Sequence, residues 1–467
     1  MLTYNLSGVK GPLYEYIYRC IRDDIGEGRL AAGEKLPSKR TLASNLGVST
    51  ITIENSYLRL MDEGFIYALP KKGYYVADVS GLMHVGNSTE KTNRDIRYPN
   101  RGDYVTDLSS NRMDYAYFPF SIWAKLLRQS ITLNEGELLT NSTCAGVRPL
   151  REAIAHHIAA FRGISVDPDQ IIVGAGTEYL YGLIIQLLGR DKVYCLENLG
   201  YRKVLQVYAS YGVKTVYADV DDKGMNVDGV SADVLHITPT HHFPTGISMP
   251  ATRRTEVLGW ALKREGRYII EDDYDSEFRV DKKPMPALFS MDSAGRTIYM
   301  NTFSKSLAPT IRISYMVLPV ELANMYYERL SFYTCTVSNF EQYTLANFIS
   351  EGYFEKHINR MRHLYADKRK RVLEIIREEF DESMCRVIER DQGLHFLLKF
   401  AMQMSDREFI ERLRRKKIHM TALSECYMNE TARDTGEFIL NYSGLDIGAL
   451  RGALQSIRGI LEEDNEN

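Results

Sequence analysis

The hydrophobic pattern changes character along the chain. In residues 12–28, PLYEYIYRCIRDDIGEG, Leu13, Ile17, Cys20/Ile21 and Ile25 recur at the spacing of one helix face. Pro12 opens the segment and glycines close it. Ser38 is placed to cap a short second helix with Leu42, Ala43 and Leu46 inward, and Gly47 ends it. Ser49 caps a third helix with Ile53, Tyr57 and Leu60 on its apolar side. Two short helices around a glycine-containing turn have helix-turn-helix spacing. After Gly64, FIYALPKKGYYVAD predicts two short strands around Pro70–Gly73, a wing-like hairpin.

From about residue 105 apolar runs alternate with helical segments. A helix is expected at 150–163, a strand at 171–176 and a helix directly after it. Further strands are expected at 192–197, 214–220, 234–239, 267–273, 296–305 and 313–319. Strands alternating with helices predict an α/β domain with a mainly parallel sheet. Residues 80–104 are polar, lack periodicity and read as a linker. The expected organisation is a DNA-binding head at 1–79, the linker, and a large domain at 105–467.

Composition narrows the classes. Apolar residues make up 44 %, enough for a large core, and 58 Lys+Arg against 61 Asp+Glu leave a net charge of −3. The chain is therefore neither a basic tail protein nor an acidic disordered one. No apolar run approaches the about 18 residues a membrane span needs, and MLTYNLSGVK lacks the features of a signal peptide. The six cysteines are scattered without a Cys-x-x-Cys pair, which excludes a thiolate zinc site and suits a reducing cytoplasm. No metal site is expected.

Charge does not settle the role of the head, since residues 1–80 hold ten Lys/Arg and nine Asp/Glu. Pattern does. Ser49, Thr50, Thr52 and Asn55 sit on or before the first turns of the third helix, where small polar groups can read a major groove. Arg40 and the wing residues Lys71, Lys72 and Gly73 can approach phosphates.

In the large domain, Gly174-Ala-Gly176-Thr-Glu-Tyr lacks the last glycine of a dinucleotide fingerprint. Gly176-Thr177 nonetheless offers backbone N–H groups at a strand-to-helix turn. Glu271-Asp272-Asp273-Tyr274 ends a strand and puts carboxylates at the sheet's carboxyl edge. Thr302-Phe303-Ser304-Lys305-Ser306 follows another strand, with Arg312 seven residues beyond Lys305. A lysine, a carboxylate and a set of hydroxyl and cationic phosphate partners are what pyridoxal phosphate requires.

The head motif, G-x-L-x-x-G-x-x-L-P-S-x-R-x-L-A-x-x-L-G-V-S then Y-x-x-L-x-x-E-G, resembles the GntR-type winged helix. VGAGTEYLYGLI, ENLGYRKV, ITPTHHFPTGISMPATRR, YIIEDDYDSEF and NTFSKSLAPTIRISYMVLP resemble a fold-type I aminotransferase domain. Together they resemble the MocR/GabR family of transcription regulators. The resemblance implies pyridoxal 5'-phosphate held as a Schiff base by Lys305, with Asp272 rather than Asp273 on the ring nitrogen. It implies Tyr201 stacked on the ring and Tyr274 at the phenolic oxygen. Thr177, Glu178 (by backbone), Thr302, Ser304 and Arg312 are implied around the phosphate. It also implies a domain-swapped homodimer reading two DNA half-sites.

Three departures qualify the resemblance. Thr50 stands where many relatives have Arg after the capping serine, so base preference is open. Phe243 stands where working aminotransferases have Asn. Phe438-Ile439-Leu440-Asn441-Tyr442 lacks their substrate-carboxylate Arg, so turnover is expected to be slow or absent. Arg202, Lys203 and Arg433 are the candidate effector cations, which suggests an amine that also carries an acid group. The expected function is a regulator sensing an amino compound or pyridoxal phosphate itself. The alternative is an aminotransferase with an appended DNA-binding domain.

Overall fold

The computed structural model describes residues 2–6, 8–9, 11–79, 103–109, 115–278, 285–388, 393–429 and 433–465. The chain divides into two compact units, residues 1–101 and 102–467. The stretch read as a linker lies outside the described residues except for its last two.

The head consists of helices Leu13–Gly26, Lys39–Leu46 and Thr50–Asp62 and an antiparallel hairpin of Ile66–Leu69 with Gly73–Val76. Ile17, Ile21, Leu42, Ile53, Tyr57, Leu60, Ile66 and Val76 form its core. Leu13, at the first helical position, is instead 37 % exposed. The Ser38 hydroxyl accepts from Thr41 N and that of Ser49 from Thr52 N, each at 3.1 Å, so both expected caps form. Ser56 Oγ donates to Tyr14 O (2.8 Å) and Tyr57 OH to Pro37 O (2.9 Å), fixing the third helix against the rest of the head. Lys71 turns the hairpin with φ 60° and Gly73 follows with φ 109°, the left-handed region that glycine tolerates best.

The large unit is built on an eight-stranded sheet. Its order is Ile171–Gly174, Ser314–Val317, Thr297–Thr302, Tyr268–Asp272, Val234–Ile237, Val193–Asn198, Lys214–Asp221, Gly224–Met225. Only Ser314–Val317 and Gly224–Met225 run antiparallel to their neighbours. The central strands are buried on both faces, which is why they read as continuous apolar runs. A second, antiparallel sheet contains Cys385–Ile388, His395–Phe400, Glu437–Asn441 and Thr421–Ala422.

The strand expected over 296–305 ends at Thr302. Thr302 Oγ1 accepts from Ser304 N (3.1 Å) and caps the short helix Phe303–Ser306, which lifts Lys305 off the sheet edge. Because Ile171–Gly174, Val193–Asn198, Val234–Ile237, Tyr268–Asp272 and Thr297–Thr302 all run one way, Thr177, Tyr201, Thr238, Asp272 and Lys305 gather at one edge. All six cysteines are free thiols. No described helix is long and apolar enough to cross a membrane.

Candidate functional site

A cavity of about 660 Å³ opens at that carboxyl edge. The main sheet contributes Thr177, Tyr201, Asp272, Tyr274, Thr302 and Lys305, and the small sheet contributes His395, Thr421 and Asn441. Burial lowers the pKa of Lys305, opposed by the charges of Asp275 and Asp272. A lysine so placed gives up its proton more readily than a surface one and is a better nucleophile.

Asp272 Oδ2 accepts from Tyr181 OH at 2.5 Å, and His236 Nε2 lies 3.5 Å away. Asp272 Oδ1 is buried without a hydrogen-bond partner among the described residues. A buried carboxylate oxygen left unmatched costs stability unless a ligand completes it. Asp273, on the opposite face of the chain, is tied to Arg162 Nε (2.9 Å) and Tyr299 OH (2.7 Å) and does not line the cavity.

Gly176 caps the helix Thr177–Leu188 with φ 94°, and a Cβ there would lie 2.4 Å from Arg312 Nη2. Arg312, itself left-handed at φ 53°, lies directly over this turn. The buried hydroxyl of Ser304 has no partner among the described residues. Helix N–H groups and an arginine meet at this turn, an arrangement that can hold an anion. Glu178, Ser304 and Arg312 are not among the cavity-lining residues; the Glu178 carboxylate pairs with Lys203 and lies 3.5 Å from Arg312 Nη2. The exposed Tyr201 ring meets Phe243 edge-on at 5.8 Å. Tyr274 OH is 3.2 Å from His241 Nδ1, which is 2.8 Å from Asp275 Oδ2.

Of the candidate effector cations, Arg202 and Lys203 line the cavity. Arg433 lies in a separate, shallower cleft of about 450 Å³ that Arg202 also borders. Sequence reasoning missed Tyr181, His236, Asp275, His395 and Asn441 as cavity residues. Tyr181 reads as core of an apolar helix. His236 carried the only legible signal, a histidine inside the apolar run Val-Leu-His-Ile.

Burial holds several groups neutral. It pushes His242 and His395 down to about 3 and His157 and His357 to about 4, and raises Glu197 and Glu277 to about 8. The unfolded chain binds more protons at these histidines below pH 6.5, so their contribution is lost as pH falls from 6.5 toward 3–4. The folded chain binds more protons at the two glutamates above pH 4.5, so stability falls as pH rises toward 8. Each group changes stability by about 1.4 kcal/mol per pH unit across its window. The four histidines outweigh the glutamates below pH 6.5 and have no effect above it, which places the maximum near pH 6.5. Denaturant unfolding between pH 5 and 8 is expected to show it there, with the acid side flattened by His242→Asn. A stability still climbing from pH 6.5 to 8 would contradict this balance.

On the head, Arg40, Ser49, Thr50, Asn55, Lys71 and Lys72 are exposed. The Thr52 hydroxyl is engaged with Ser49 Oγ (2.8 Å), so it serves the cap. Ile51, 68 % exposed, precedes Asn55 by one helical turn and shares its face.

Residues 103–457 match the family model for aminotransferase class I and II, and residues 13–76 match that for bacterial regulatory proteins of the gntR family. The chain is 34 % identical to the HTH-type transcriptional regulator YdeL of Bacillus subtilis over 96 % of both chains. It is 30 % identical to the probable rhizopine catabolism regulatory protein MocR of Rhizobium meliloti, over 96 % of this chain and 93 % of that one. It is 28 % identical to the HTH-type pyridoxine biosynthesis transcriptional regulator PdxR of Corynebacterium glutamicum, over 94 % and 93 %. Among solved structures, it resembles Pyrococcus horikoshii kynurenine aminotransferase with a TM-score of 0.69 and 24 % identity, over 78 % of this chain and 92 % of that one. At that identity the likeness carries the fold alone.

Proposed function

Because the chain belongs to the MocR family of HTH-type transcriptional regulators, which join a gntR-type head to an aminotransferase-like domain, we propose that its cavity reports on an amine to its DNA-binding head. The observation that carries this reading is the buried Lys305 sharing one cavity with the unmatched Asp272 Oδ1, in a chain that also bears a winged helix.

The residues present fit pyridoxal 5'-phosphate. When bound, it supplies an aldehyde that condenses with primary amines. Lys305 would be the covalent attachment point. Asp272 Oδ1 would hold the proton of the ring nitrogen, and Tyr181 and His236 hold Asp272 in place. The backbone N–H groups of Thr177 and Glu178, the Thr302 and Ser304 side chains and Arg312 would hold the phosphate. Tyr201 would cover the ring and Tyr274 would serve its phenolic oxygen. Asp273, committed to Arg162 and Tyr299, is not the ring partner.

In the head, Arg40, Lys71, Lys72 and Gly73 meet phosphates, while Thr50, Ile51 and Asn55 face base edges; Ile51 suits a thymine methyl. Ser49 and Thr52 set the helix end. Two heads of a domain-swapped homodimer read two half-sites. The effector is an amino compound, and pyridoxal phosphate itself is a second reading, favoured by the likeness to a regulator named for pyridoxine biosynthesis.

The test uses the full chain loaded with pyridoxal phosphate, a panel of amines, and DNA from upstream of its own gene. Specific DNA binding that changes with an amine, with little keto-acid formation, is the expected result. Rapid keto-acid formation with no effect of any amine on DNA would favour the aminotransferase alternative.

A further inference from the structure

The small-sheet wall of the cavity says which amines fit. His395 and Asn441 are directly paired across the antiparallel strands His395–Phe400 and Glu437–Asn441, and both line the cavity. Side chains of such a pair share one face of the sheet, with Cβ atoms about 5 Å apart.

Their hydrogen bonds fix what each presents. Asn441 Oδ1 accepts from Ser443 N (2.9 Å) and from Ser443 Oγ (2.6 Å). A backbone N–H can only donate, so the amide orientation is determined and the Asn441 NH₂ group is left for the cavity. His395 Nε2 is 3.0 Å from Pro244 O. A carbonyl can only accept, so Nε2 carries the proton. Burial and the neighbouring His241 hold the ring neutral. His395 Nδ1 is therefore a lone-pair acceptor.

The wall thus offers one donor beside one acceptor. Thr421, paired with Ile439 two residues before Asn441, adds a hydroxyl on the same face. No cation stands on this wall among the described residues. On the other lip, Lys203 is committed to Glu178, and Arg202, which also lines the cavity, is turned to Glu425 O (3.5 Å), outside the strands that carry His395 and Asn441.

A hydroxyl or a carboxamide can both donate and accept and satisfies such a pair. A carboxylate only accepts. It would turn one oxygen toward the lone pair of His395 and find no fixed positive charge on this wall, a costly burial. We infer that the cavity selects amines whose adjoining polar group is a neutral hydroxyl or carboxamide rather than a carboxylate, with Asn441 donating and His395 accepting. The inference rests on the proposed amine-binding role of the cavity and narrows it.

The test titrates the full chain, loaded with pyridoxal phosphate, with L-alaninol, L-alaninamide, L-alanine and propylamine at equal free-amine concentrations. Half-saturation is read from the cofactor's absorption spectrum. L-Alaninol and L-alaninamide are expected to half-saturate at roughly tenfold lower concentration than L-alanine and than propylamine. Asn441→Arg supplies a fixed cation and is expected to reverse the order toward L-alanine. Asn441→Ala, the milder change, is expected to bring L-alaninol and L-alaninamide down to the level of propylamine. Tighter binding of L-alanine than of L-alaninol by the unaltered chain would overturn the inference and leave the amine-sensing reading intact. Propylamine equal to L-alaninol would overturn it as well. No spectral response to any of the four would remove the amine-sensing reading and this inference together.

Discussion

Replacing Lys305 by alanine is expected to abolish covalent attachment of pyridoxal phosphate while leaving part of its non-covalent affinity. Among the described residues, Lys305 is the one lysine lining the cavity that is not held in an ion pair, and it shares the cavity with Asp272 and Asp275. The anion-holding turn at Gly176 and Arg312 does not involve it, so the phosphate retains a site. Borohydride reduction of the loaded chain, followed by peptide mass mapping, should place the label on Lys305. In Lys305→Ala the absorption band of the covalently held cofactor should vanish and no peptide should carry the label. A variant that keeps the band near its normal intensity would sink the assignment of Lys305.

The second large effect concerns DNA. Arg40→Ala or Lys72→Ala is expected to weaken binding to all sequences and to flatten its salt dependence by about one counterion per lost phosphate contact. Thr50→Ala or Asn55→Ala is expected to alter which sequence is preferred, at about 1–3 kcal/mol per lost base contact. Ser49→Ala acts differently. It removes the acceptor for Thr52 N and costs about 1 kcal/mol of head stability, so it lowers binding through folding. Anisotropy titrations across salt concentrations, beside denaturation of each variant, separate the three effects. If a chain lacking residues 1–79 still bound the upstream DNA specifically, the head would not be the reader.

Much of this was legible in the sequence because local rules and the final structure agree. Ser38 and Ser49 cap the helices they precede, and the hairpin turns at Lys71–Gly73. The α/β alternation gives a mostly parallel sheet, and strand ends converge on one edge for topological reasons that spacing already implies. Other features depend on side-chain partners distant in sequence. Nothing local says that Asp273 is consumed by Arg162 and Tyr299, or that Tyr181 and His236 hold Asp272. Arg433 is close to the last sheet strand in sequence but opens on a different cleft, because the segment around it packs toward the helix Asp406–Arg415. The donor–acceptor pair of His395 and Asn441 exists only through strand register, which single-sequence pattern does not fix.

The central claim is that an amine acts on DNA binding through the lysine-held cofactor. Only a ligand with different affinity for two states of the chain can shift their balance. The most direct measurement is DNA affinity for a two-half-site duplex, with and without a saturating amine, on the unaltered chain and on Lys305→Ala, each loaded with pyridoxal phosphate. The account predicts an amine-dependent change in affinity in the unaltered chain and none, or a much smaller one, in Lys305→Ala. An equal change in both proteins would contradict it.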